Sequence, residues 1–103
     1  YPSAFSWALC ATDFYLSNPK EVSIVGENGD PSFAGFKRSF WEKYLPNRVL
    51  ALGGADSETG EKLIPLLANR RTASGSRAYV CEAYKCQKPA ETPGELTDQL
   101  SIR

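Results

Sequence analysis

Histidine and methionine are both missing from these 103 residues. Without an imidazole the chain holds neither Ser-His-Asp nor Cys-His catalysis within itself, and it lacks the commonest metal ligand. An excess of one charge is missing too. Twelve basic and twelve acidic residues balance, so no global field recruits nucleic acid or an anionic membrane. Long hydrophobic runs are absent: the longest, around Ala8 to Leu16, is broken by Thr12 and Asp13 and is too short to span a bilayer. No basic stretch precedes it, as a secretory signal requires. The three cysteines are too few, and an odd number, for a disulfide scaffold. The expectation is an intracellular, cytoplasmic chain without cofactor, metal, nucleic-acid or membrane partner. Its start at Tyr1, with no methionine anywhere, suggests a fragment of a longer protein.

What is present is ordinary globular material. Hydrophobic residues make up 42% and charged residues 23%, far from a disordered composition. Residues 1–103 fit one domain, with a core that removes roughly 60–70% of the unfolded surface from water. Residues 2–16 read as a helix with Pro2 in its first turn. Its apolar residues, among them Phe5, Trp7, Leu9, Phe14, Tyr15 and Leu16, fall on nearly every side of the helical wheel. Such a helix needs cover on more than one face, and a three-stranded sheet covers only one. The expectation is that one side packs on the domain and the other on a missing domain or a second copy.

Ser17-Asn18-Pro19 ends that helix. Residues 21–26 read as a strand, and 26–31 as a turn in which Asp30 caps a helix opened by Pro31. Phe33, Phe36, Phe40 and Tyr44 recur at helical spacing and predict a helix over 31–45 with an aromatic core stripe. Residues 48–53 form a second strand and 54–60 a polar loop. Residues 61–70 read as a short helix broken or restarted at Pro65. A third strand covers 78–83. A final helix runs to Leu100, with Thr92 as cap and Glu95 at the capping-box position. The order α-β-α-β-α-β-α predicts an α/β domain of two or three layers around a three-stranded, mostly parallel sheet.

Candidate chemistry is sparse. Gly26-Glu27-Asn28-Gly29, between a strand and a helix, offers backbone N–H groups to an anion, as does the turn at Gly53-Gly54. Neither is a dinucleotide fingerprint or a P-loop, and Glu27 and Asp30 repel phosphate; ordinary strand-to-helix turns are the plainer reading. Gly26, Gly29, Gly53 and Gly54 remain the candidate ligand turn, for a small anion or nucleotide at the carboxyl ends of the strands. Cys81 and Cys86 are a candidate redox pair, although their spacing is not C-x-x-C. With only Cys10 left as a further thiolate, zinc has no fourth ligand. The plainer reading is a structural pair of free thiols. The carboxylates Asp56, Glu58 and Glu61, and the arginines Arg70, Arg71 and Arg77, read as solvated surface.

The run Ala78-Tyr79-Val80-Cys81-Glu82-Ala83-Tyr84-Lys85-Cys86-Gln87-Lys88-Pro89, with Tyr44-Leu45-Pro46-Asn47-Arg48-Val49 upstream, resembles the extreme C-terminus of the spermatogenesis-associated protein 20 family. The likeness covers nearly the whole chain in order. It implies a long parent with an N-terminal thioredoxin-like domain of redox function and a middle α/α toroid similar to N-acylglucosamine 2-epimerases. Neither region lies in these residues, so only Cys81 and Cys86 match a family motif. With the over-apolar first helix and the absent histidine, the expectation is a non-catalytic C-terminal accessory domain that packs on the parent's toroid, or self-associates through residues 2–16. The alternatives are a contribution to a thiol-redox or carbohydrate-processing site completed elsewhere, and the anion- or nucleotide-binding module.

Overall fold

The computed structural model describes residues 2–27, 29–54, 63–67, 75–83 and 85–101. Four strands, β1 (Lys20–Val25), β2 (Arg48–Gly53), β3 (Arg77–Glu82) and β4 (Lys85–Cys86), make one sheet in the order β2-β1-β3-β4. Among the described residues three whole α-helices accompany it: α1 (Ser6–Leu16), α2 (Pro31–Glu42) and α3 (Pro93–Ser101). Short 3₁₀ segments cover Pro2–Phe5 and Pro65–Leu67.

The sheet is mixed, which corrects the expected three-stranded, mostly parallel one. β1 runs parallel to β2 but antiparallel to β3, and β3 pairs antiparallel with β4. The reason lies in where the connections start and stop. Gly53, the end of β2, and Arg77, the start of β3, both pair with Val25. The chain therefore leaves β2 and enters β3 at the same end of the sheet. A parallel third strand needs a connection that travels back along the sheet, as α2 does between β1 and β2. The connection from β2 instead brings the chain back to the end it left, so β3 runs antiparallel to β1. Of the helix expected over 61–70, Leu63 is helical and Pro65–Leu67 form a 3₁₀ turn, while residues 61–62 and 68–70 lie outside the described residues.

β1 is the central strand, and its alternation splits the core in two. Val22 and Ile24 face α2 and α3, joining Phe33, Phe36, Phe40, Ala78, Val80, Ala90, Leu96 and Leu100. On the other face Val25 packs with Ala51, Leu67 and Tyr79. There the buried Ser23 hydroxyl donates to the Leu66 carbonyl at 2.9 Å, tying the 3₁₀ turn to the sheet.

The helix ends follow local rules. Asp30 caps α2, its Oδ1 accepting from the Ser32 N–H at 3.0 Å. Thr92 accepts from the Glu95 N–H at 3.2 Å, while Glu95 reaches back to the Glu91 N–H at 3.3 Å. α2 stops at Glu42 rather than at 45. The Arg48 guanidinium takes over its C-terminal end, donating to the carbonyls of Phe40 and of Lys43, the latter at 2.9 Å.

α1 departs from expectation most. No residue in it is buried; Trp7 is 88% exposed, Tyr15 85% and Leu16 76%. The anticipated packing of one side on the domain is not formed. Near its C-terminal end Asn47 Nδ2 donates to Asp13 Oδ2 at 2.8 Å. The chain measures 52 × 29 × 25 Å along its principal axes.

Candidate functional site

The carboxyl ends of β1 and β2 make the first candidate. The chain leaves β1 toward the face that carries α2, while the turn after β2 packs on the opposite face. Two adjacent parallel strands whose connections part in this way open a crevice between them. A cleft of about 400 Å³ lies there, lined by Gly26, Glu27, Phe33, Lys37, Leu52, Gly53 and Gly54. Gly29, read with the same turn, is not among these lining residues; its φ of +94° serves the chain reversal before α2.

Much of what makes these turns glycine-rich is packing. A Cβ on Gly26 would stand 2.1 Å from Ser76 Oγ, and one on Gly53 would stand 3.0 Å from a Leu67 methyl. The Gly26 N–H is engaged with the Gly53 carbonyl at 3.1 Å. The positive end of α2 is occupied by the Asp30 carboxylate, whose second oxygen accepts from the Ser76 hydroxyl at 2.7 Å. The cationic group in the cleft is Lys37, with its ammonium 4.9 Å from the centre of the Phe33 ring. Lys37 lies in the middle of α2, remote in sequence from the Gly53-Gly54 turn. Only the placement of Gly53 beside the start of α2 brings it to the strand ends.

The cysteines make the second candidate. Cys81 and Cys86 are joined as a disulfide, which corrects the reading of two free thiols. The cause is a missed strand: residues 85 and 86 turn back on β3, so Cys81 stands directly opposite Cys86 and Glu82 opposite Lys85. Ala83, at the reversal, takes a φ of +51°. Cys81 is buried and Cys86 exposed. Cys10 is free and exposed on α1. Among the described residues no group of three His, Cys, Asp or Glu side chains is placed to hold a metal ion.

A third feature is apolar. Phe40, Trp41, Tyr44, Leu45, Pro46, Arg48 and Leu50 line a groove of about 330 Å³. Phe40 is core, but Trp41 and Tyr44 lie open to solvent. Tyr44 falls beyond the end of α2, so the aromatic stripe ends one turn early. The Arg48 guanidinium lies 4.0 Å from the centre of the Phe40 ring and 5.1 Å from that of Trp41. Desolvation there pulls its pKa below the ordinary guanidinium value. Asn47, between this groove and β2, carries the hydrogen bond to α1, so the two exposed apolar surfaces adjoin.

Asp56, Glu58, Glu61, Arg70 and Arg71 lie outside the described residues. Arg77 stands 3.8 Å from the Glu91 carboxylate at an exposed position. Among the described residues no helix is long and apolar enough to cross a membrane.

No protein-family model matches the chain, and no solved structure matches it. Over 83 residues, 79% of its length, the chain is 31% identical to human spermatogenesis-associated protein 20. That stretch is 11% of the human protein, so the chain spans only about a tenth of this relative. The likeness supports a distant relationship to spermatogenesis-associated protein 20.

Proposed function

We propose that this chain is a non-catalytic packing domain of a larger thioredoxin-domain-containing protein, seated on the rest of that protein through α1. The observation that carries the reading is the exposure of α1. An eleven-residue helix with Trp7, Leu9, Tyr15 and Leu16 all open to water holds more apolar surface than a solitary helix tolerates. An isolated helix of that length is also marginal in water. Its only charged side chain, Asp13, already has a partner in Asn47. The absence of histidine and the similarity to a small part of a much longer protein support the same reading. So does the aromatic groove beside α1, which extends the surface available to the covering body.

The test is hydrogen exchange of residues 6–16 in the 103-residue chain and in the longer polypeptide that carries it. Strong protection in the longer polypeptide, against near-random-coil exchange in the short chain, is the expected result. Equal exchange in both rejects the reading.

A second reading, a small-anion or nucleotide module at the strand ends, is favoured by the position of Lys37 in the cleft. Glu27 in the same lining and Asp30 on the end of α2 oppose it. Phosphate titration followed by the amide resonances of Gly26, Gly53 and Gly54 separates the two readings. Saturable shifts lost in Lys37→Ala favour the anion module.

A further inference from the structure

We infer that Cys81 and Cys86 form a thiol–disulfide exchange site whose substrate is a dithiol, with Cys86 as the point of attack and Cys81 as the leaving group. The inference rests on how the bond is placed; it is independent of the docking role of α1 and goes beyond the non-catalytic reading by adding an exchange reaction to the docked domain.

β4 is two residues long and lies at the edge of the sheet, with β3 as its sheet neighbour. Its cysteine is exposed, whereas the partner on β3 is 3% exposed. A thiol arriving from solution therefore meets the Cys86 side of the bond. Lys85 and Lys88 flank Cys86 in sequence and are both exposed. Positive charge at that position favours an incoming thiolate and the thiolate form of Cys86.

The bond also holds little that is not held otherwise. It closes a separation of only five residues, and a cross-link stabilises less as the loop it closes shortens. Beyond it the chain is fixed independently. The Gln87 N–H donates to the Val80 carbonyl at 2.9 Å, and Ala78 and Ala90 exchange backbone hydrogen bonds at 3.1 and 2.8 Å. Gln99 Nε2 on α3 donates to the Lys88 carbonyl at 2.8 Å. The larger apolar cluster contains neither cysteine. Breaking the bond thus frees the hairpin tip and leaves the sheet and both packed helices in place.

The chemistry balances with a dithiol as co-reactant. Its first thiolate attacks the sulfur of Cys86. The S–S bond breaks, the electron pair leaves on Cys81, and that thiolate takes a proton from solvent. The second thiol of the reductant, deprotonated, attacks the reductant's own sulfur in the mixed disulfide and expels Cys86 as thiolate, which takes the second proton from solvent. The reductant ends as a disulfide, and the protein has gained two electrons and two protons. Run backward, the pair oxidises a bound dithiol.

The experiment treats the native 103-residue chain with dithiothreitol, quenches with a maleimide and reads Cys10, Cys81 and Cys86 separately by peptide mass spectrometry. Hydrogen exchange is read on the same samples. The expected result is reduction in the folded state, within about tenfold of the rate in denaturant because the bond is accessible. Amide protection should fall around residues 82–87 and persist in β1. With Cys10→Ser as the background, Cys86 in Cys81→Ser should react with 5,5′-dithiobis(2-nitrobenzoate) at least about tenfold faster than Cys81 does in Cys86→Ser. Reduction that proceeds only on global unfolding, loss of β1 protection on reduction, or equal or reversed reactivities of the two cysteines overturns the proposal.

Discussion

Replacing Gly26 by alanine tests the packing at the carboxyl end of β1 more sharply than any other single methyl. The added Cβ would lie 2.1 Å from Ser76 Oγ, 2.8 Å from Ser76 Cβ and 3.0 Å from Phe33 Cδ2. The first two distances are well inside van der Waals contact, so Ser76 must move. Ser76 is buried, and its hydroxyl donates to Asp30 Oδ2 at 2.7 Å, the carboxylate that caps α2. Overpacking of this kind costs about 1–3 kcal/mol, and a hydrogen bond to a charged group contributes about 1.5–3 kcal/mol. Because the two losses overlap, Gly26→Ala should destabilise the chain by about 3 kcal/mol. Ser76→Gly alone removes the hydrogen bond and should cost about 2 kcal/mol. In the double variant the obstructing atoms are gone and the Phe33 contact remains. Its cost should fall short of the sum of the singles by about 2 kcal/mol of coupling. Urea denaturation followed by far-UV circular dichroism measures all three. Both tryptophans are exposed and make poor fluorescence probes of unfolding. A cost for Gly26→Ala below about 0.5 kcal/mol, or additive costs in the double variant, refutes the packing argument.

Other perturbations read other parts of the fold. Phe36→Ala empties a fully buried site between the sheet and α3 and should cost about 3–5 kcal/mol in the same denaturation assay. Arg48→Ala removes both donors to the last carbonyls of α2 and the cation over Phe40 and Trp41. It should cost about 2–3 kcal/mol, with Arg48→Lys recovering only part because an ammonium lacks the planar fork. Cys81→Ser with Cys86→Ser should lower stability by about 2 kcal/mol, the entropy of so short a loop, and leave a cooperative transition. A loss large enough to unfold the chain would mean that the bond is a structural staple.

Local signals in the sequence carried through wherever the structure is local. Asp30-Pro31 and Thr92 with Glu95 mark helix starts because their side chains satisfy N–H groups within the same turn. The strand over 48–53 needed only its apolar run. The sheet's direction was not legible, because it depends on the connection between β2 and β3 and not on either strand. A helix–strand alternation in sequence implies crossovers only if each connection carries the chain back along the sheet, and the one after β2 returns to the end it left. β4 escaped because two residues show no period. With it went the disulfide, since the pairing of Cys81 with Cys86 exists only once Lys85–Cys86 folds back. The same holds for the cleft: its glycines were visible in the turns, but Lys37 comes from the middle of α2 and joins them only through the fold.

The over-apolar α1 was legible as a surplus but not as a geometry. Composition alone demanded a cover on more than one side, and it was natural to assign one of those sides to the sheet. The sheet, however, spends its two faces elsewhere: α2 and α3 take one, and the Leu66–Leu67 turn packs on the other. What remains for α1 is the hydrogen bond from Asn47 to Asp13. Trp7, Leu9, Tyr15 and Leu16 on α1 and Trp41 and Tyr44 at the groove are therefore left exposed. A core this well satisfied gains nothing from drawing α1 inward. A covering body gains burial of about 150–250 Å² for each large aromatic it takes up. Trp7 and Tyr15 alone thus offer about 300–500 Å², a substantial part of the roughly 800 Å² that each partner of a stable interface contributes.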